Sequence, residues 1–109
     1  MSKMISLPCG LEFSEPVGFA PLTNVQSHED GTLSDTEFNW LLRRAQGGFE
    51  WLSTCATYVS DGGKAWQGQL GIASDKHLEG LTRLASALRA HGAKPIVQLH
   101  HGGPMAAIA

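Results

Sequence analysis

The sequence is poor in cysteine and in basic residues, and each shortage removes a class of protein. Only Cys9 and Cys55 occur in 109 residues, and they form no CxxC pair. That argues against a disulfide scaffold and against a cysteine-based metal site. Lys and Arg together number eight, the formal net charge is -2, and no basic run is present. A nucleic-acid or anionic-membrane surface is therefore not expected. No apolar run is long enough to span a bilayer. Met1–Lys3 is not followed by a sustained apolar core, so no signal peptide is read and a reducing cytoplasm is the expected compartment. Walker, GxGxxG, HExxH and Gly-x-Ser-x-Gly patterns are also missing.

What remains has globular composition, 42% hydrophobic and 17% charged, enough for one small domain with a modest core. Apolar segments Met4–Leu7 and Leu11–Phe13 flank Pro8-Cys9-Gly10, a break that predicts a short hairpin. Val17–Leu22 (VGFAPL) reads as a first buried strand, ending where Pro21 withdraws its amide hydrogen. Thr23–Leu33 is polar, contains the turn pair Asp30-Gly31, and reads as a loop.

Ser34-Asp35-Thr36-Glu37 matches a capping box, with the Ser hydroxyl and the Glu carboxylate each expected to satisfy a free amide. Phe38, Leu41, Leu42 and Ala45 then share one helical face, and Gly47-Gly48 ends the helix. Arg43-Arg44 near that end suits the helix dipole. Glu50–Thr57 is apolar or small throughout, as in a strand covered on both faces, and places Cys55 as a buried thiol. A long loop, Tyr58–Ser74, carries Gly62, Gly63, Gly68 and Gly71. Loops of this length in compact domains are more often functional than decorative. A second helix is predicted from about Asp75 to His91, with Leu78, Leu81, Leu84, Ala85 and Leu88 as its buried stripe and Gly92 as its stop. Pro95–Leu99 reads as a third, short, buried strand that leaves through His100-His101-Gly102-Gly103.

Hairpin, then β-α-β-α-β, implies parallel strands joined by helical crossovers. Three strand ends carry small or polar groups: Ala20-Pro21-Leu22-Thr23, Cys55-Ala56-Thr57 and Gln98-Leu99-His100-His101. In a parallel sheet these ends lie on one side, where α/β proteins bind ligands. Together they offer backbone donors, a hydroxyl and a carboxamide to one planar polar ligand; ordinary loop polarity is the competing explanation. His100 and His101 suggest a metal, but neighbours on a strand point to opposite faces, and no further ligand set accompanies them. A histidine hydrogen-bonded near a ligand is the alternative. The loop glycines fit backbone freedom better than a phosphate cradle. Trp51 reads as core, Trp40 as packed beside its helix face or at its edge, and Trp66 as lining a partner surface.

At these residues the sequence resembles the amino-terminal part of the old yellow enzyme family of FMN-dependent NAD(P)H:flavin oxidoreductases and ene-reductases. The resemblance is carried by Ala20-Pro21-Leu22-Thr23-Asn24, Asp30-Gly31-Thr32, Arg43-Arg44-Ala45-Gln46-Gly47-Gly48 and Ala56-Thr57-Tyr58-Val59-Ser60. It continues through Gly63-Lys64-Ala65, Gly68-Gln69-Leu70-Gly71-Ile72 and Gln98-Leu99-His100-His101-Gly102-Gly103. It covers nearly the whole chain, and the order and spacing of the pieces make it specific.

The resemblance implies the first three β/α units of a TIM (β/α)8 barrel preceded by a short N-terminal β-hairpin. Residues 1–109 would form part of an FMN-binding barrel domain, incomplete in this chain. It implies FMN at the strand ends, contacted by the backbone around Pro21 and Leu22, the Thr23 hydroxyl, the Ala56 backbone and the Gln98 carboxamide. Thr23 would tune the flavin's potential. NAD(P)H would be the electron donor and an activated alkene or similar small molecule the acceptor. No catalytic residue and no metal ligand is expected among these positions, since the family's substrate-anchoring pair and proton-donating Tyr have no counterpart here. Two departures stand out: Pro104 where the family commonly has Arg, and Glu15-Pro16 where Asn-Arg often precedes the first strand.

Three of eight strands cannot close a barrel that typically takes about 250 residues. The expectation is therefore a fragment, a truncated product, or one piece of a split or oligomeric barrel, completed by a copy of itself or a complementing fragment. A non-catalytic α/β module that associates through its open sheet edge is the alternative.

Overall fold

In the computed structural model, described for residues 4–15 and 17–106, two short strands are followed by an alternation of helix, strand, helix and strand. Pro16 of the Glu15-Pro16 pair, Met1–Lys3 and the last three residues lie outside the described residues. Strands β1 (Ile5–Ser6) and β2 (Glu12–Phe13) pair antiparallel across the Pro8-Cys9-Gly10 break. Helix α1 spans Asp35–Gln46, β3 Trp51–Tyr58, α2 Leu78–Ala90 and β4 Lys94–His100. β3 and β4 are parallel and adjacent, with α2 as the crossover between them. No helix among the described residues is long and apolar enough to cross a membrane.

The core lies where α1 and α2 meet the back of β3. Phe38, Leu41 and Ala45 of α1 pack with Leu52, Leu84, Leu88 and Ala93, while Phe19, Leu33 and Trp40 close its margin. Both helices present their apolar stripes as the 3.6-residue period requires. Gly47 caps α1, and Gly48 takes the positive φ that lets the chain turn into β3.

Several expectations need correction. Val17–Leu22 does not form an extended strand. Only Phe19 pairs, in a parallel bridge to Leu52, using its N–H to Trp51 O (3.1 Å) and its C=O from Ser53 N (2.9 Å). Pro21 cannot donate the next ladder bond. The capping box is half made: the Ser34 hydroxyl accepts from Glu37 N at 3.0 Å, but the Glu37 carboxylate turns inward to the Ser27 hydroxyl. The segment Asp75–His77 is a 3-10 turn, and the α-helix starts only at Leu78.

Leu78, assigned to the buried stripe, is 63% exposed. It borders an open groove of about 510 Å³ with Ile72, Leu81, Ala85, Pro95 and Val97, over which no described residue packs. β4, expected to be buried, is half-buried with Gln98 and Leu99 exposed. Its only strand neighbour among the described residues is β3, so its second edge lies open. Trp51 is half-buried rather than core; its ring lies over Gly18 and near Phe13.

Candidate functional site

The carboxyl ends of β3 and β4 are brought level by their register, Ala56 opposite Gln98 and Tyr58 opposite His100. That register depends on a bulge. Between the pairs Ser53–Ile96 and Ala56–Gln98, β3 carries one residue more than β4. A bulge bends a strand and leaves a backbone group without its ladder partner. Here the buried Thr54 hydroxyl takes over, lying 3.3 Å from the Gln98 amide that donates to it. Thr54 Oγ also donates to Cys55 O (2.9 Å) and touches Thr57 Oγ (3.0 Å). The main chain at Gln98 is thus fixed from below, while its carboxamide stands exposed.

The predicted site residues fall as follows. Ala56 and Gln98 are cross-strand partners at the sheet's carboxyl end. Pro21 is half-buried; Leu22 and Thr23 are exposed on the segment that follows the Phe19 bridge. Because that bridge is parallel, the Pro21–Thr23 segment leaves in the same direction as Ala56 does beyond Leu52. No hydrogen bond joins Thr23 to Ala56 or Gln98. They are linked through two loops: Ser27 N donates to Gly68 O (3.0 Å), Val25 packs against Gly68, and Gly71 N donates to Gly31 O (2.9 Å). Gly68 has φ +80°, and a Cβ there would come within 2.8 Å of the Val25 carbonyl oxygen, so this approach requires glycine.

Gln69, which sequence reasoning did not single out, organises the tip. It is fully buried in a polar loop. Its Oε1 accepts from Ala65 N (2.7 Å), and its Nε2 donates to Ala56 O (3.0 Å) and to His100 Nδ1 (3.3 Å). One carboxamide therefore joins the glycine-rich loop to the ends of both strands. No periodicity marks such a residue; its only sequence signal is a polar side chain between Gly68 and Leu70.

His100 and His101 part company. The His100 ring lies beside Gln69 and Trp66, with ring centroids 5.7 Å apart from the latter. His101 is exposed, accepts from Gly103 N (3.0 Å) and covers Gly63. Among the described residues no cluster of three His, Cys, Asp or Glu side chains forms a metal-binding group. Trp66 is half-buried, and its Nε1 is buried without a partner among the described residues. Trp40 packs edge-on against Phe19 beneath the Arg44 guanidinium.

Below the tip, His77 ties loops together rather than facing the site. Its Nδ1 accepts from Ala73 N (3.0 Å), so its Nε2–H is the donor to Asp30 O (2.9 Å). Tyr58 donates to the same carbonyl (3.0 Å). Burial raises the Tyr58 pKa above the usual phenol value, with the negative charges of Asp61 and Asp30 adding to the effect.

The sequence and the overall fold match those of known proteins. The family model described as the NADH:flavin oxidoreductase / NADH oxidase family matches residues 12–108. A probable NADH-dependent flavin oxidoreductase of Bacillus subtilis (strain 168), YqiG, is 39% identical over 94 residues, which are 86% of this chain and 25% of that protein. Among solved structures, a 2-naphthoyl-CoA reductase in complex with 2-naphthoyl-CoA superposes with TM-score 0.89 at 30% identity. The match covers 96% of this chain and 16% of that one. The old yellow enzyme from Pichia sp. AKU4542 shares the fold, with TM-score 0.88 at 22% identity, covering 95% of this chain and 27% of that one. The chain thus spans about a quarter of the length of the Bacillus relative. The fold is that of part of an old-yellow-enzyme TIM barrel, and FMN is the family's cofactor, with NAD(P)H as electron donor. On this sequence match, nearly end to end, and on the shared fold, the chain belongs to the NADH:flavin oxidoreductase / NADH oxidase family.

Proposed function

We propose that this chain supplies part of the FMN site of an NAD(P)H-dependent oxidoreductase that reduces an activated alkene or similar small-molecule acceptor. Segment 17–22, β3 and β4 would be the first three barrel strands, α1 and α2 their crossovers, and β1–β2 the hairpin that precedes them. The observation that carries the reading is the level pairing of Ala56 with Gln98 at the carboxyl end of a parallel sheet, with the Gln98 carboxamide exposed.

The donor set fits a flavin ring. Such a ring presents carbonyl acceptors and a ring N–H along one edge and apolar faces above and below. A carboxamide supplies a donor and an acceptor together, and a hydroxyl supplies either. Exposed Leu22 provides apolar surface next to Thr23. Pro21 has no amide hydrogen, so its share is limited to its ring and carbonyl. FMN, when bound, supplies hydride transfer between NAD(P)H and the acceptor. Gln98 would bind and orient the ring edge, Ala56 would leave room for it as a small side chain, and Thr23 would hold a hydroxyl proton toward a flavin carbonyl. That last contact favours the electron-rich reduced ring. None of the chain's residues is assigned proton transfer to the acceptor.

A second reading, a non-catalytic α/β module that associates through the open edge of β4, is favoured by Leu99, 65% exposed on that edge strand. FMN titration followed by flavin absorbance and fluorescence separates the two. Saturable binding weakened by Gln98→Ala supports the flavin site. A stable oligomer that takes up no flavin supports the module.

A further inference from the structure

The geometry points to Gln69 as a positioning residue that fixes the tautomer of His100 and so presents a histidine N–H donor beside Gln98. It rests on the flavin-site reading only for what that donor meets.

The Ala65 amide faces one end of the Gln69 carboxamide. A backbone N–H can only donate, so the atom it meets at 2.7 Å is the Gln69 carbonyl oxygen. That sets which end of the carboxamide is which, a choice otherwise open to a flip. The amide nitrogen then faces Ala56 O at 3.0 Å and His100 Nδ1 at 3.3 Å. An amide NH2 has two hydrogens and no acceptor capacity, so both neighbours must accept. Ala56 O does so as a carbonyl. His100 Nδ1 does so only when it carries no hydrogen, which places the proton of the neutral ring on Nε2.

Gln69 is wholly buried, so a mismatched pair there would leave a desolvated polar group unmade, a penalty that water cannot relieve. His100 Nε2 has no hydrogen-bond partner among the described residues. His100 lies two residues beyond Gln98 on β4, and alternate residues of a strand share a face. A carboxamide and an imidazole N–H are therefore set on one side of the same strand end. Both are suited to an acceptor atom of a bound flavin ring or its substrate. Gln69 touches neither; it acts through His100 and through the Ala56 carbonyl it holds.

The test is nitrogen-15 NMR of the full chain labelled at histidine, which needs no flavin. The expected result for wild type is an unprotonated, pyridine-like Nδ1 and a protonated, pyrrole-like Nε2 at His100. In Gln69→Glu the facing atom becomes an acceptor, and His100 Nδ1 should become protonated. A wild-type ring protonated at Nδ1 overturns the proposal without recourse to any variant, as does an unchanged pattern in Gln69→Glu. FMN titration of the same samples separates this from the broader reading. FMN affinity about tenfold weaker in Gln69→Glu, the loss of roughly one hydrogen bond, accords with both. A reversed tautomer in a chain that binds no FMN upholds the positioning role and overturns the flavin site. An unreversed tautomer with FMN bound does the opposite.

Discussion

The thiol of Cys55 lies 3.6 Å from the carboxylate of Glu37, and both side chains are buried beneath the first turn of α1. The pair joins β3 to the helix that precedes it. It also determines what the cysteine can do. Burial pushes the Cys55 pKa up to about 12, and the nearby negative charge of Glu37 adds to the rise. Thiolate, the reactive form, is thereby suppressed. Exposed Cys9 offers the contrast within one molecule. With a disulfide reagent at pH 8, one thiol should react promptly and the second only as the protein unfolds, whereas both should react at once in denaturant. Two fast thiols in the native protein would contradict this environment.

Glu37 itself should matter for stability more than its place in a cap suggests. It accepts the Ser27 hydroxyl and the Cys55 thiol, and its backbone N–H meets Ser34 Oγ. Glu37→Ala keeps the last bond but leaves the two side-chain donors without an acceptor in a buried space. The expected loss is about 2–4 kcal/mol in denaturant unfolding. A loss below about 0.5 kcal/mol, the scale of a surface change, would show that Glu37 does not tie these elements together.

Gly31 is a second sensitive position. Its φ is +82°, and a Cβ there would sit 2.0 Å from Tyr58 Oη. Gly31→Ala should cost about 2 kcal/mol or more, through backbone strain and through the displaced Tyr58–Asp30 hydrogen bond. Gly62→Ala meets no atom within 4 Å and has no positive φ, so it should be near neutral. Equal effects at the two sites, read from thermal melts, would contradict the packing.

Acid should expose the clamp at the other end of the sheet. The Glu50 carboxylate accepts from the Ser14 hydroxyl (2.6 Å) and amide (2.8 Å) and lies 3.4 Å from Lys94 Nζ. These contacts, the Ser14 hydroxyl foremost, hold its pKa below the usual 4.5. A lowered folded-state pKa contributes stability that is present above 4.5 and lost as pH falls through the lower value. Ser14→Ala should therefore be less stable than wild type at pH 7, and the gap should shrink below about pH 4.5. A gap constant down to pH 3 would contradict the assignment.

Helix α1 and its buried face were legible because their signals are local. Ser34 meets an amide three residues on, and Phe38, Leu41 and Ala45 repeat at helical spacing. β3 was legible from its uniform apolar run. What failed depended on partners distant in sequence. Glu37 left the capping box for Ser27 and Cys55, ten and eighteen residues away. Segment 17–22 carries strand composition, yet only Phe19 finds a ladder, because pairing needs a neighbour and not only a propensity. At the sheet's carboxyl end, the nearness of Ala56 to Gln98 was legible from the alternation of strands and helices, which implies parallel strands. Thr54 and Gln69 were not: a hydroxyl standing in at a bulge and a glutamine between two loops have no periodic signature.

The Thr23 hydroxyl offers a test of how the site acts on a flavin. Removing one hydrogen bond to the reduced ring should lower its two-electron potential by about 30 mV in Thr23→Val, with FMN still bound. An unchanged potential would remove Thr23 from the site.

The most direct measurement is a backbone-amide NMR titration of the chain with FMN. The account predicts saturable shifts gathered at Leu22, Thr23, Ala56 and Gln98, with the outer face of α1 around Asn39 and Arg43 unmoved. Shifts centred on that outer face, or none at saturating FMN, would contradict it.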